Sequence, residues 1–480
     1  MPDLEFLFNP RSVAVVGASS NPDSLANRNF LRPLLALGYQ GRIYPVNPHH
    51  SEIMGLRAYA SILDIPEEVD NVVCAIPASL TPKLMEDCVK AKAKAVTCYS
   101  AGFSETGEEE GLRLEKTIVE IARRGEVRII GPNCLGVHHP EVGLTFEPNS
   151  SKDSGPVSFL SQSGGNAREL ILIATERGIR FSKGISYGNA SDLNEADFVE
   201  YFAGDKDTKV IAAYIEGIKE PQRFLRMLAK AAGEKPVIIL KGGKTGAGTR
   251  AVTSHTGALA GRRGIWDIIC RQAGVTQVGS LEELADDILA FSCLKPPRGR
   301  RVGIVGVGGG ASVQAADDCE IAGLAVPPLP PDVIRDIREF TPQAGVGLGN
   351  PIDTSADVYW DPALFAKTIR LVAGFDRFDL VFIVLGLIYA AKHKIGMVRE
   401  QIEALVEAGK ETNKPVVVVL RTGGLIEAEQ LACSVRAQCL KAGFPVYPSV
   451  RQAAQAIDHL LVYYEDRERK ARQQLWETFR

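Results

Sequence analysis

The feature of this sequence that most constrains the fold is a repeated alternation of short β-branched segments with helical ones. The first five strands are predicted within residues 12–20, 42–48, 71–77, 95–103 and 127–134. Strands that alternate with helices form a parallel sheet, and ligands bind in the crevice outside the carboxyl ends of its strands. Each of these segments ends in small or polar residues, as such a crevice requires. The sequence therefore predicts an α/β protein that begins with a Rossmann-type domain.

Two further blocks continue the alternation. Their strands are predicted at 155–160, 184–187, 210–215, 236–241, 302–305, 380–385, 415–420 and 445–447. Residues 235–241 resemble residues 414–420, so the second and third blocks are predicted to be copies of one flavodoxin-type unit. We expect three domains, at 1–150, 151–294 and 300–480.

Composition narrows the class of protein. The chain has 480 residues, 45% hydrophobic and 24% charged, which is typical of a globular protein of two to four domains. A net charge of −3 argues against nucleic acid or an anionic membrane as a partner.

The cysteines and the apolar segments indicate the compartment. Nine cysteines without a C-x-x-C pair are interpreted as reduced core thiols, which favours the cytoplasm. No segment approaches eighteen consecutive apolar residues, and no basic region followed by an apolar one opens the chain. We expect neither secretion nor a membrane span.

The turn after the first strand differs from the usual dinucleotide fingerprint. Gly17-Ala18-Ser19-Ser20 lacks the second and third glycines of G-x-G-x-x-G, and the second strand ends in Val46-Asn47-Pro48 without an acidic residue for a ribose diol. Standard NAD binding is therefore disfavoured. A purely structural strand-to-helix turn at Gly17 is the alternative at this point.

A second candidate site follows the first strand of the second block. Ser161-Gln162-Ser163-Gly164-Gly165 precedes a predicted helix at 166–177. The free N–H groups and positive dipole end of such a helix bind anions, so a phosphate site is predicted. Glu216 ends the apolar strand 210–215 at the same functional edge, although an ordinary surface acid is the alternative interpretation.

A histidine among small residues is the third candidate. His255 lies in the segment 254–261, after the lysine- and glycine-rich segment 241–248, and we predict a flexible, reactive loop. The third block runs from Gly423-Gly424 straight into residues 425–428 without a histidine, so the fold itself does not require one. An exposed histidine without a role is the alternative.

Taken in order, these motifs resemble a known family. The motifs are Gly17-Ala18-Ser19, Val46-Asn47-Pro48, Ser100-Ala101-Gly102-Phe103, Gly131-Pro132-Asn133, Ser161-Gln162-Ser163-Gly164, Gly188-Asn189, Glu216 and Ser254-His255-Thr256-Gly257. Over essentially its whole length the chain resembles the α subunit of ADP-forming acyl-CoA synthetases, in the succinyl-CoA synthetase superfamily. The resemblance implies a CoA-binding domain followed by two ligase-like, flavodoxin-type domains.

The resemblance also implies roles for these residues. His255 would carry a phosphoryl group, Glu216 would bind its imidazole, and residues Ser161, Gln162, Ser163, Gly164 and Gly165 would hold phosphate. The implied CoA-binding residues are Gly17, Ala18, Ser19, Ser20, Asn47, Pro48, Ile76, Pro77, Ser100, Ala101, Gly102, Phe103 and Asn133. Carboxylic acid, CoA and ATP would give acyl-CoA, ADP and phosphate.

Two expected cations are absent from the first domain. His49-His50 follow Pro48 where relatives commonly have lysine, and Pro22-Asp23-Ser24 replaces the usual Pro-Gly-Lys. The sequence leaves open whether Arg28, His49 or His50 takes over a contact with a CoA phosphate.

The resemblance further implies a partner. Nothing in the sequence resembles an ATP-grasp module, so a separate ATP-grasp β subunit would bind ATP or ADP and Mg²⁺, in an α2β2 assembly, and no residue of this chain is assigned to a metal. The acid itself is not specified. Two alternatives are a CoA-responsive regulatory protein of the same fold without turnover, and a Rossmann dehydrogenase.

Overall fold

The structure is a computed structural model that describes residues 4–256, 263–306, 308–341, 347–354, 360–393 and 395–478. The chain divides into two compact units, Met1–Thr175 with Ile179–Leu284, and Glu176–Gly178 with Ala285–Arg480. The domain boundaries that we predict from the sequence remain predictions.

Five parallel strands form the first sheet of the first unit. They are β1 (Ser12–Val16), β2 (Arg42–Val46), β5 (Asn71–Cys74), β6 (Ala95–Cys98) and β7 (Arg128–Ile130), and they lie in the order β2-β1-β5-β6-β7. A short hairpin of β3 (Glu52–Ile53) and β4 (Leu56–Arg57) follows β2. All five residues of β1 are buried, as expected for a parallel strand covered by helices on both faces. The predicted parallel α/β arrangement is confirmed.

The second sheet of this unit has six strands. They are β8 (Gly136–His138), β9 (Val157–Ser161), β10 (Phe181–Ser186), β11 (Val210–Ile215), β12 (Val237–Lys241) and β13 (Thr276–Val278), in the order β13-β12-β11-β9-β10-β8. β8 was not predicted, and it pairs antiparallel with β10. The chain thus passes from the first sheet to the second within the five residues that follow Ile130.

Helices flank both sheets of the first unit. They are α1 (Glu5–Phe8), α2 (Arg32–Leu37), α3 (Thr81–Lys90), α4 (Glu109–Arg124), α5 (Gly164–Arg177), α6 (Glu195–Gly204), α7 (Pro221–Glu234), α8 (Gly246–Thr256), α9 (Arg263–Ala273) and α10 (Leu281–Cys293), of which α5 and α10 continue into the second unit. A π-helical turn, Asn27–Leu31, leads into α2.

The second unit has a four-stranded parallel sheet. Its strands are β14 (Val302–Val305), β15 (Leu380–Gly386), β16 (Val416–Arg421) and β17 (Val446–Tyr447), hydrogen-bonded in that order. Its helices are α11 (Gly309–Ile321), α12 (Pro331–Arg338), α13 (Pro362–Gly374), α14 (Leu387–His393), α15 (Ile395–Lys410), α16 (Ile426–Lys441) and α17 (Val450–Thr478). Among the helices described, none is long and apolar enough to cross a bilayer.

The segment that carries His255 differs from the prediction. We predict a loop, but residues Gly246–Thr256 form helix α8. Thr245 stabilises its start, because its Oγ1 accepts a hydrogen bond from the N–H of Gly248 at 3.0 Å, and buried Val252 anchors the helix. These two contacts act against the low helix propensity of the glycines. Residues 257–261 of the predicted loop lie outside the described part of the chain.

Candidate active site at the strand ends

The first turn of the predicted CoA groove is fixed by close backbone packing. Gly17 has φ +98°, and a Cβ atom there would lie 2.4 Å from the carbonyl oxygen of Ala75, so only glycine fits. The side chain of Asn47 donates to the carbonyl of Ala18 at 2.6 Å, and buried Asn27 accepts from the N–H of Ser19 at 3.2 Å. Gly17–Ser20 and Asn47–Pro48 are therefore neighbours at one sheet edge, as the sequence predicts.

The segment after β6 is held by the buried carboxylate of Glu105. Glu105 Oε1 accepts hydrogen bonds from the N–H groups of Gly102 and Phe103, at 2.6 and 3.2 Å. The Ser100 hydroxyl donates to the carbonyl of Ile76 at 2.5 Å, which joins Ser100–Phe103 to Ile76–Pro77. Glu105 was not among the predicted residues, and its part in shaping this segment is visible only in three dimensions.

The two sheets meet at Asn133 and Asn189. Asn133 has φ +57°, and its N–H donates to the carbonyl of Ser100 at 3.1 Å. The N–H of Asn189 donates to the carbonyl of Pro132 at 2.9 Å, and its side chain donates to Glu105 Oε2 at 2.6 Å. The motifs 131–133 and 188–189, which are distant in sequence, thus form one junction.

The predicted phosphate turn has the geometry of an anion site. β9 ends at Ser161 and α5 begins at Gly164, with the Ser161 hydroxyl donating to the carbonyl of Ser163 at 2.7 Å. Ser163 Oγ accepts from the N–H of Asn166 at 3.3 Å. The N–H groups of Gly164 and Gly165 belong to the first turn of α5 and have no carbonyl partner within the helix, so they can bind an anion.

Glu216 follows directly after β11, where the sequence places it. It is 5% exposed, and Oε1 accepts from the Tyr214 hydroxyl at 3.1 Å, while Oε2 is buried with no hydrogen-bond partner in the described part of the chain. Gln162 Oε1 accepts from the N–H groups of Glu216 and Gly217, at 2.8 and 2.9 Å. A buried carboxylate oxygen without a donor is costly, so a donor from another group is expected there.

Burial also shifts the pKa values of two neighbours of Glu216. Burial, followed by the charge of Glu216, raises the pKa of Tyr214, so this phenol is neutral at all physiological pH values. Burial lowers the pKa of Lys241, whose Nζ donates to the carbonyl of Glu216 at 2.8 Å. A Cβ at Gly242 would lie 2.6 Å from the Tyr214 hydroxyl oxygen, so the chain passes close to this carboxylate before it enters α8.

The backbone of His255 lies in the last turn of α8, and its side chain is outside the described part of the chain. α8 begins four residues after Gly242 and lies against the turn Ser104–Thr106, which follows the predicted CoA segment Ser100–Phe103. The helix therefore begins close to Gly242, near Glu216, and contacts the turn that follows the predicted CoA segment.

One cavity, of about 330 Å³, lies at the predicted phosphate turn and reaches Asn133 of the predicted CoA set. It is lined by Arg28, Asn29, Tyr99, Asn133, Cys134, Leu135, Gln162, Ser163, Gly164, Gly165 and Arg168. Asn133 from the predicted CoA set thus meets four of the five predicted phosphate residues. The other predicted CoA residues, Gly17–Ser20, Asn47–Pro48, Ile76–Pro77 and Ser100–Phe103, do not line it.

Three polar residues of this cavity, Asn29, Tyr99 and Arg168, were not predicted from the sequence. Arg168 follows Gly164 by one helical turn, which was a usable signal, since residues four apart share a helix face. Of the three candidate replacements for the missing cation, Arg28 lines the cavity, while His49 and His50 lie on the exposed turn after β2. Among the described residues, no group of three or more histidine, cysteine, aspartate or glutamate side chains could hold a metal ion.

Comparison with protein families agrees with this layout. Residues 11–140 match the CoA binding domain, residues 154–291 the succinyl-CoA ligase like flavodoxin domain, and residues 302–452 the ligase-CoA domain. This combination places the chain in the class of CoA ligases that resemble succinyl-CoA synthetase.

The relatives specify the class further. The chain is 36% identical over 460 residues to the acetate–CoA ligase [ADP-forming] II subunit alpha of Pyrococcus furiosus, covering 94% of this chain and 96% of that relative. The chain belongs to the family of α subunits of ADP-forming acetate–CoA ligases. It is also 36% identical to the acetate–CoA ligase [ADP-forming] I of Archaeoglobus fulgidus over 80% of this chain, but spans only 55% of that longer relative.

A solved structure supports the fold. The dinucleotide forming acetyl-coenzyme A synthetase 1 of Ca. Korarchaeum cryptofilum, solved in complex with phosphate and ADP, matches with a TM-score of 0.81 and 31% sequence identity, over 98% of both chains. The family resemblance and the fold predicted from the sequence are therefore confirmed. The roles of individual residues remain predictions.

Proposed function

We propose that this chain is the α subunit of an ADP-forming acid–CoA ligase, which converts a carboxylic acid, CoA and ATP into acyl-CoA, ADP and phosphate. The observation that carries the proposal is the cavity in which Asn133, within the region that matches the CoA binding domain, lies beside Ser163–Gly165, the predicted phosphate turn. A thiol that attacks an activated acid needs such a meeting point between a CoA site and a phosphate site.

The proposed reaction has three steps. The γ-phosphoryl group of ATP moves to an imidazole nitrogen of His255 and ADP leaves. The substrate carboxylate then attacks the phosphorus, which frees the histidine and forms an acyl phosphate. The CoA sulfur finally attacks the acyl carbon, and inorganic phosphate leaves.

Glu216 would support the first two steps. Its unpartnered Oε2 can accept a hydrogen bond from an imidazole N–H, which fixes the tautomer and stabilises the positive ring formed on phosphorylation. The Ser161–Gly165 turn would hold the transferring phosphoryl group through backbone N–H donors, at the positive end of α5. Neither role requires a redox cofactor.

The small and polar residues at the strand ends of the first sheet are the candidates for binding CoA. We propose that Gly17–Ser20, Asn47–Pro48, Ile76–Pro77, Ser100–Phe103 and Asn133 bind CoA, supported by the match of residues 11–140 to the CoA binding domain. The absence of a Cβ at Gly17 lets this turn pack against the backbone of Ala75, next to Ile76–Pro77 of the same proposed set.

We also propose an ATP-grasp β subunit as partner, with ATP or ADP and Mg²⁺ bound there, in an α2β2 complex in the cytoplasm. The relative from Pyrococcus furiosus is itself named a subunit alpha. The longer Archaeoglobus fulgidus relative contains a further portion that this chain does not match. Free cysteines, of which most are buried, are compatible with a reducing compartment.

The test is to follow label from γ-labelled ATP into the complex of this chain with its β subunit. Label should appear on a peptide that contains His255, stable in base and labile in acid, and His255→Ala should abolish both labelling and acid-dependent ADP formation. Glu216→Gln should slow labelling roughly 10²-fold by analogy with other oriented histidines.

The matched control is Glu234→Gln, which changes an exposed carboxylate at the end of α7 and should leave the rates unchanged. Calorimetry of the full chain should show that His255→Ala still binds CoA. Label on another residue, or full activity of His255→Ala, would contradict the proposal.

A further inference from the structure

Two carboxylates meet beside the turn Ser104–Thr106. Glu105 lies in this turn and is buried, and Glu115 is half-buried on α4. Neither carboxylate forms an ion pair with a residue in the described part of the chain. The side chain of Asn189 lies between them, because its Nδ2 donates to Glu105 Oε2 at 2.6 Å and to Glu115 Oε2 at 3.0 Å. A neutral amide thus supplies the two N–H donors that hold two like charges together.

The second oxygen of Glu105 holds the predicted CoA segment. Its Oε1 accepts hydrogen bonds from the N–H groups of Gly102, at 2.6 Å, and Phe103, at 3.2 Å. Gly102 has φ +107°, a conformation that other residues rarely adopt, and Phe103 is fully buried. The backbone at the end of Ser100–Phe103 therefore depends on the position of the Glu105 carboxylate.

Glu115 holds the adjoining turn against α4. Its Oε2 accepts from the N–H of Ser104 at 3.2 Å and from the Ser104 hydroxyl at 2.6 Å, in addition to the Asn189 amide. Hydrogen bonds to a charged oxygen are stronger than those between neutral groups. Asn189 consequently links two carboxylates that together bind three successive backbone N–H groups, those of residues 102–104.

Asn189 is itself fixed by close packing. It follows β10, is 1% exposed, and its N–H donates to the carbonyl of Pro132 at 2.9 Å. A Cβ at Gly188 would overlap the same carbonyl oxygen, so the backbone has little freedom here. Oδ1 of Asn189 is buried and has no hydrogen-bond partner among the described residues. Turning the amide would place this oxygen against the two carboxylates, so both N–H groups are kept on them at the cost of one unpartnered acceptor.

We propose that Asn189 is a positioning residue for CoA, which acts through Glu105 on the backbone of Ser100–Phe103. This inference rests on the proposed function, in which that segment binds CoA. Asn189 lies within residues 154–291, which match the flavodoxin domain, whereas the segment lies within residues 11–140, which match the CoA binding domain. The affinity for CoA therefore depends on a buried side chain outside the region that matches the CoA binding domain.

The first experiment replaces Asn189 with alanine in the complex with the β subunit. Without the amide the two carboxylates repel each other, and Glu105 should move away from the N–H groups of Gly102 and Phe103. The KM for CoA should rise about 10-fold, as expected when a hydrogen bond to a charged group is lost. The KM for ATP and the rate of His255 labelling should stay within about 2-fold of the wild type, since distant sites act independently.

Three further variants define the role of the amide. Asn189→Ser keeps one hydroxyl donor and should raise the KM for CoA by a smaller factor, and it carries the test if Asn189→Ala does not fold. Glu105→Ala removes the carboxylate through which Asn189 acts, so adding Asn189→Ala to it should raise the KM for CoA by less than about 2-fold more. Asn413→Ala is the matched control, since it changes an exposed asparagine of the second unit and should leave every value unchanged.

Two measurements on the full chain do not depend on turnover. In Asn189→Ala, hydrogen exchange by mass spectrometry on peptides that span residues 98–106 should be faster at Gly102 and Phe103. Calorimetry should show CoA binding about 10-fold weaker than in the wild type.

The results that would overturn the inference are wild-type CoA affinity in Asn189→Ala, an equal rise in the KM for ATP, or effects of Asn189→Ala and Glu105→Ala that simply add. If the wild-type chain itself binds no CoA, the proposed function fails and this inference fails with it. If the wild type and Asn189→Ala bind CoA equally well, the inference alone fails.

Discussion

Replacing Gln162 with alanine should make the backbone at Glu216 more mobile without changing the Glu216 side chain itself. Gln162 is 3% exposed, and its Oε1 is the acceptor for the backbone N–H groups of Glu216 and Gly217, at 2.8 and 2.9 Å. Gln162→Ala removes that acceptor and leaves two buried donors unsatisfied.

The expected cost follows from these two hydrogen bonds. Each buried N–H left without an acceptor costs about 1–3 kcal/mol, and because water can enter the space left by the side chain we expect the lower part of the combined range, about 2–4 kcal/mol. Since about 1.4 kcal/mol is a factor of ten, the amides of Glu216 and Gly217 should exchange with solvent roughly 30- to 1,000-fold faster. Displacement of Glu216 by about 1 Å should slow His255 phosphorylation roughly 10²-fold.

The assay is hydrogen exchange by mass spectrometry on peptides that span residues 210–220, with phosphorylation measured in parallel. Gln162→Glu keeps an acceptor oxygen for both N–H groups and should retain the protection that Gln162→Ala loses. Gln222→Ala, an exposed position on α7, should change neither readout. If the amides of Glu216 and Gly217 are as protected from exchange in Gln162→Ala as in the wild type, the reasoning is refuted. It is also refuted if a variant that has lost this protection phosphorylates His255 at the wild-type rate.

Two further predictions concern stability and the predicted CoA groove. Gly17→Ala should destabilise the first unit by about 2–4 kcal/mol, because the new Cβ would lie 2.4 Å from the Ala75 carbonyl oxygen at a φ of +98°. The same substitution should weaken CoA binding, measured by calorimetry of the full chain. Unchanged urea unfolding and unchanged CoA affinity would contradict this prediction. Burial, with the nearby His139, lowers the pKa of His138 to about 3, so His138 is neutral in the folded protein while its ordinary pKa is 6.5. Its contribution to stability is complete above pH 6.5 and falls by up to about 1.4 kcal/mol per pH unit as the pH decreases toward 3. The free energy of unfolding, measured in urea at pH 7.5, 6 and 5, should decrease less steeply with falling pH in His138→Asn than in the wild type. Equal slopes in the two proteins would show that other groups dominate the pH dependence of stability.

Much of the fold can be read from the sequence because strands and helices are encoded by local periodicity. The strands of the first sheet and the start of α5 after Ser163 were predicted within a few residues, since runs of buried β-branched residues and glycine-serine turns have local causes. Parallel pairing also follows from the sequence, because a helix that connects two neighbouring strands of a sheet returns the chain so that both strands run in the same direction. The position of Glu216 at a strand end was predictable on the same grounds.

The sequence by itself therefore determined the strand ends, the strand-to-helix turn before α5 and the family, all of which depend on neighbouring residues. Only the tertiary structure decided that β8 joins the second sheet, that residues Gly246–Thr256 are helical, and that Gln162 holds the backbone at Glu216. It also brought Arg168 and Asn29, 139 residues apart, into contact. The physical reason is that a buried polar group takes its partner from whatever side chain or backbone the packing brings near, and no local pattern records that choice.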